Sequence, residues 1–87
     1  MNWQVAFTPA AARQIAALPD DIRVRIRKAI GDRLPVEPKA HLLPLSGPLR
    51  GHEKFRVGPY YRLICHRDDA LLLLLVIKVD HRRDVYR

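Results

Sequence analysis

A chain of 87 residues has room for one domain and one small core, burying about 60 to 65% of its unfolded surface, which excludes multi-site machinery. Sixteen lysines and arginines against nine aspartates and glutamates leave a net charge of +7, so a polyanion is the first partner to consider, with a merely soluble basic domain as the alternative. The single cysteine, Cys65, excludes an internal disulfide and a cysteine-based metal site.

The opening residues lack the charged segment and long apolar stretch of a signal or transit peptide. The Leu-rich run from Ala70 to Val79 is ten residues, half of what a membrane-spanning helix needs. A cytoplasmic protein without a membrane segment is expected.

Trp3, Val5 and Phe7 alternate with Asn2, Gln4 and Ala6, the period of a half-buried strand. Thr8-Pro9 then offers a hydroxyl N-cap followed by proline at the first helical position, and a helix runs to about Leu18 with Ala11, Ile15 and Leu18 on one face. Pro19-Asp20 breaks it and caps a second helix, giving a helical hairpin. There Ile22, Ile26, Ala29 and Ile30 recur at helical spacing, which leaves Arg23, Arg27 and Lys28 away from the core and Arg25 near the boundary. That basic face reads either as a solvated surface or as one that tracks a nucleic-acid backbone. Gly31 is expected to close the helix. From Leu34 to Arg50 four prolines, at 35, 38, 44 and 48, rule out a long helix or a central strand. The segment is expected to be a connector wrapped on the sheet and anchored by Leu42, Leu43, Leu45 and Leu49.

Two strands follow, from His52 to His66 around Gly58-Pro59. A three-residue turn of Gly58, Pro59 and Tyr60 sets Val57 opposite Tyr61, Phe55 opposite Leu63 and Arg56 opposite Arg62. Only that register collects Phe55, Val57, Tyr61, Leu63 and Cys65 on one apolar face, leaving Lys54, Arg56, Arg62 and His66 on the other. The run Ala70–Val79, short, bounded by Asp68-Asp69 and Asp80 and β-branched at its end, predicts a central strand covered on both faces.

Directly opposed like charges such as Arg56 and Arg62 cost roughly 0.2 to 1 kcal/mol per pair in a sheet, so something should offset them. A bound polyanion would, since the arginine fork matches phosphate; side chains splayed into water near Asp68, Asp69 or Glu53 are the alternative. The tail His81-Arg82-Arg83-Asp84-Val85-Tyr86-Arg87 adds cations and an aromatic ring, the mixture that pairs phosphates and stacks bases of a single strand. Among the histidines, His41 and His52 read as loop or strand-edge residues, His66 as a residue of the basic face, and His81 as a substrate contact suited to proton transfer. No spaced cluster of metal ligands stands in the sequence, and neither a metal site nor a cofactor is expected.

The segments Leu49-Arg50-Gly51-His52-Glu53-Lys54-Phe55-Arg56-Val57-Gly58, Tyr61-Arg62-Leu63-Ile64 and Val79-Asp80-His81-Arg82-Arg83-Asp84-Val85-Tyr86-Arg87 resemble the RelE branch of the RelE/ParE toxin superfamily. The likeness spans nearly the whole chain and implies a single α+β domain over residues 1–87: strand, helical hairpin, three further strands in a small, mostly antiparallel sheet, and a basic tail. It implies the toxin of a type II toxin-antitoxin pair, an endoribonuclease that enters the ribosomal A site and cleaves mRNA without a metal. By the same resemblance Lys54 activates the 2′-hydroxyl, Arg56 occupies a neighbouring basic position, and Arg62 holds the phosphate. Arg82, or the adjacent Arg83, serves the leaving group or its charge, and Tyr86 stacks on or orients the substrate. Arg50, His81 and Arg83 are expected to touch RNA. The partners implied are a cognate antitoxin and mRNA on the ribosome, the toxin itself being monomeric within a hetero-oligomer. The other branch of the superfamily implies a ParE-like inhibitor of DNA gyrase, and a non-catalytic RNA-binding relative is a further alternative.

Overall fold

The computed structural model describes residues 2–81; Arg82, Arg83 and Tyr86 lie outside the described residues. The expected strand opens the chain as β1 (Gln4–Phe7), where Val5 and the preceding Trp3 pack against the core, but the alternation stops there: Ala6 is half-buried and Phe7 is exposed. Thr8 then caps α1 (Pro9–Ala16): its hydroxyl oxygen accepts from the Ala11 amide at 3.1 Å, and Pro9 occupies the first turn, where its missing N–H costs nothing. Helix α2 (Asp20–Arg33) opens with two acidic residues, Asp20 and Asp21, facing the positive end of the helix dipole.

Gly31 does not close α2. The helix continues to Arg33 because the fully buried Leu34 anchors its last turn in the core, and Pro35 follows. The connector also holds more than was expected of it. Leu42–Pro44 forms β2, a three-residue edge strand antiparallel to β3, so the sheet has five strands. Proline is tolerated there because an edge strand need not donate on its outer side. Leu42 is the buried anchor, whereas Leu43, on the opposite side of the pleat, is half exposed.

Strands β3 (Glu53–Val57), β4 (Tyr61–Asp68) and β5 (Leu73–His81) complete the sheet in the order β1-β5-β4-β3-β2. Among the described residues only the β1–β5 pair is parallel. Strand β5 starts three residues later than the apolar run does. The Asp68 carboxylate accepts from the Leu71 amide, and this side-chain turn holds 69–72 out of the ladder, with Leu72 at φ 50°. Nor is β5 covered equally on both faces: Leu74 and Val76 are fully buried, while Leu73, Leu75 and Ile77 are only half buried. The described helices cover one face alone. Ala11 and Ile15 of α1, Ile26 and Ile30 of α2, and Leu34 form one core with Leu42, Phe55, Val57, Leu63, Cys65, Leu74 and Val76. Each large side chain buried there contributes about 1.5 to 3 kcal/mol. No described helix is long and apolar enough to cross a membrane.

Candidate nucleic-acid interface

With the helices on one side, the chemistry of the other side follows from strand parity. The β3–β4 register is the one required for a single apolar face: Phe55 pairs with Leu63, Val57 with Tyr61, and Arg56 with Arg62. Gly58, at φ 64°, supplies the left-handed conformation with which the turn begins. Lys54, Arg56 and Arg62 therefore lie together on the open face. Ile64 lies there too, only 1% exposed yet apart from the helix-covered core. In register it sits between Lys54 and Lys78, and a lysine's apolar stem is long enough to cover it.

Lys78 reaches this face through an irregularity. Ile64 pairs with Lys78 but Cys65 pairs with Val76, so Ile77 is an extra residue on β5 and forms a β-bulge. Counting by twos from Leu74 and Val76, Lys78 and Asp80 would point into the core; the bulge reverses the parity and turns both outward. The N-cap and second turn of α1 stabilise it. The Thr8 hydroxyl donates to the Ile77 carbonyl at 2.6 Å, and the Gln14 side-chain oxygen accepts from the Val79 amide at 2.8 Å. Backbone groups that the bulge removes from the ladder are thus satisfied from the helix.

Asp80 supplies what offsets the opposed arginines. Across the sheet Arg62 stands between Arg56 and Asp80; its Nε donates to Asp80 Oδ2 at 3.1 Å, and Nη2 is ion-paired with the same oxygen at 3.0 Å. Asp80 Oδ1 is 3.9 Å from Lys78 Nζ. The carboxylates expected to do this are engaged elsewhere: Glu53 accepts from Arg67 at 2.7 Å, and Asp69 pairs with Arg67 and Lys39. The arginine pair is therefore compensated within the sheet itself. Among the described residues, Lys54, Arg56, Arg62 and Lys78 outnumber Asp80 on the open face.

The remaining candidates fall elsewhere. His81 has the parity of Val79, and its ring stacks on Tyr61 with centroids 4.4 Å apart and planes 8° from parallel, with Tyr60 edge-on at 6.4 Å. Arg50 is exposed beside a cleft near the β2 edge that is also lined by His52, Glu53 and Arg67. His66 is exposed and tilted against His52 at 6.1 Å. On α2, Arg23 pairs with Asp20 and donates to the Ala16 carbonyl, tying the helical hairpin, while Arg25, Arg27 and Lys28 are exposed. Among the described residues no group of three or more His, Cys, Asp or Glu side chains is placed to hold a metal ion.

The residues that sequence reasoning missed are Lys78 and Asp80. A signal was present: two charged residues continue the parity of two core residues on an interior strand, which only a bulge reconciles with burial.

Comparison with known proteins agrees with this architecture. Residues 5–86 match the family model described as the ParE toxin of type II toxin-antitoxin systems, parDE. Toxin RelG of Mycobacterium tuberculosis is 38% identical over 88 aligned positions, covering 100% of this chain and 99% of that one. The RelBE2 toxin-antitoxin complex of the same organism contains a chain that superposes with a TM-score of 0.82 at 34% identity, over 94% of this chain and all of its own. The isolated RelE toxin of E. coli has the same fold, with a TM-score of 0.68 at 21% identity over 97% of this chain and 90% of that one.

Proposed function

The chain belongs to the ParE toxin family of type II toxin-antitoxin systems, within the RelE/ParE superfamily, and on that premise we propose that it is a ribosome-dependent endoribonuclease that cleaves mRNA in the A site. The observation that carries this reading is the open sheet face, on which Lys54, Arg56 and Arg62 stand together, with Arg56 directly across from Arg62.

In the reaction proposed, the ribose 2′-oxygen forms a bond to the adjacent phosphorus as its proton passes to the Lys54 amine, and the bond to the 5′-oxygen breaks as that oxygen takes a proton from water. The products are a 2′,3′-cyclic phosphate and a 5′-hydroxyl. Lys54 activates the 2′-hydroxyl. Arg62 balances the second negative charge that develops on the phosphoryl oxygens, with Arg56 beside it. Guanidinium groups are poor proton donors, so their part is electrostatic. Arg82, or Arg83 next to it, stabilises the leaving oxygen, Tyr86 stacks on the substrate, and Arg50 and His81 contribute RNA contacts. No metal or organic cofactor takes part. A cognate antitoxin in the cytoplasm is the partner that restrains the activity, and the toxin is monomeric apart from it.

Primer extension on a defined mRNA in programmed ribosomes tests the reading, with naked RNA as control. Wild type is expected to cut only on the ribosome. Arg62→Ala and Arg82→Ala should each lose about 100- to 1,000-fold, the effect of removing one donor from a developing oxyanion. The family model's own description favours a second reading, inhibition of DNA gyrase as in ParE-like relatives. A folded wild type that blocks gyrase supercoiling and leaves ribosome-bound mRNA intact would establish that one instead.

A further inference from the structure

Resting on the reading in which Arg62 meets a phosphate, we infer that Asp80 is a positioning residue: its carboxylate grips one edge of the Arg62 guanidinium so that the other edge is presented to the substrate. A guanidinium carries five N–H donors on a rigid plane. One of them, on Nε, is spent on Asp80 Oδ2, and Nη2 is ion-paired with the same oxygen at 3.0 Å, so that this edge of the plane faces the carboxylate. The donors on Nη1 and on the far side of Nη2 make up the end-on edge that forms paired hydrogen bonds with a phosphate. Arg62 is thereby held before the substrate arrives, its side chain only 18% exposed.

Two further features agree with a role in orientation. A partly exposed ion pair adds little to stability, yet the fold departs from regular β-structure at Ile77 to bring Asp80 to this face, and engages Thr8 and Gln14 to do so. The carboxylate also does not cancel the site. Lys78 shares it through Oδ1, and Lys54 and Arg56 add positive charge on the same face. The opposite role, a latch that occupies Arg62 until substrate displaces it, makes predictions of the opposite sign.

Asp80→Ala and Asp80→Asn decide the matter in two measurements. In single-turnover cleavage on programmed ribosomes, Asp80→Ala should lower the maximal rate by about 10- to 100-fold while the half-saturating concentration changes less than about threefold. Asp80→Asn, whose amide oxygen can still accept from Nε, should recover most of that loss. A rate in Asp80→Ala equal to or above wild type overturns the proposal. The second measurement is independent of cleavage: the Arg62 Nε–H resonance of the free protein, followed during titration with inorganic phosphate. It should be protected in wild type, lost in Asp80→Ala, and still protected when phosphate is bound. Loss of protection on binding would mean that phosphate displaces Asp80, and would overturn the proposal whether or not the protein cleaves RNA. If wild type cuts no mRNA while the resonance behaves as expected, it is the nuclease reading that fails.

Discussion

Cys65 lies on the helix side of β4, fully buried, with its thiol 3.7 Å from the Leu63 carbonyl. Burial, and secondarily the charge of Glu53, push its pKa up from 9.0 to about 12. A neutral acid whose pKa is raised by folding adds stability that is fully present below pH 9 and is lost as the pH rises through 12. Unfolding free energy should therefore fall over that window more steeply in wild type than in Cys65→Ala, by at most about 1.4 kcal/mol per pH unit, as paired denaturant titrations would show. At pH 8 iodoacetamide should modify the thiol only through opening of the core, at a rate that tracks global unfolding. This placement was legible in the sequence: parity from Phe55 to Cys65 demanded an apolar face, and one turn length satisfied it. The partner of Arg62 was not legible in the same way. Asp80 looked like punctuation at the end of an apolar run, because parity can be counted along a strand only until a bulge intervenes.

At the scale of elements, the first turn of α1 does two jobs that a helix cap alone would not require. Thr8 accepts from the Ala11 amide and donates to the Ile77 carbonyl, so one hydroxyl joins the helix start to the bulge that aims Lys78 and Asp80. Thr8→Val keeps the shape and removes both bonds; it should cost about 1 to 3 kcal/mol in urea unfolding, while Thr8→Ser should cost less than about 1 kcal/mol. The Asp80-dependent protection of Arg62 should weaken in the valine variant even where the protein is fully folded. The cap could be read from Thr8-Pro9, since both residues act locally. The elements that misled were decided by distant packing. Gly31 carries the local mark of a helix end, yet the helix passes through it because Leu34 is buried one turn on. Proline-rich 34–50 looked unable to pair, yet Leu42 and Pro44 pair with β3, because an edge strand needs hydrogen bonds on one side only.

Among the described residues, basic side chains gather on two surfaces. Lys54, Arg56, Arg62 and Lys78 occupy the open sheet face, while Arg25, Arg27 and Lys28 are exposed on α2, on the helix-covered side. Net charge alone could not divide them; a three-residue turn and one bulge do. If RNA is held on the sheet face, neutralising each phosphate contact there should remove about 0.7 from the slope of log K against log salt for a single strand. Lys54→Met and Arg56→Gln should each flatten that slope by about this amount, measured by fluorescence anisotropy on a short RNA whose 2′-hydroxyl at the cleaved step is replaced by hydrogen. The double variant Arg25→Gln/Lys28→Gln removes charge that salt screens from a strand on the sheet face, so it should change affinity little and flatten the slope by well under about 0.7. A slope that fell as much for the α2 variant as for the sheet variants would put phosphates on both surfaces. RNA would then wrap the domain, and the open face would no longer suffice to define the substrate's path.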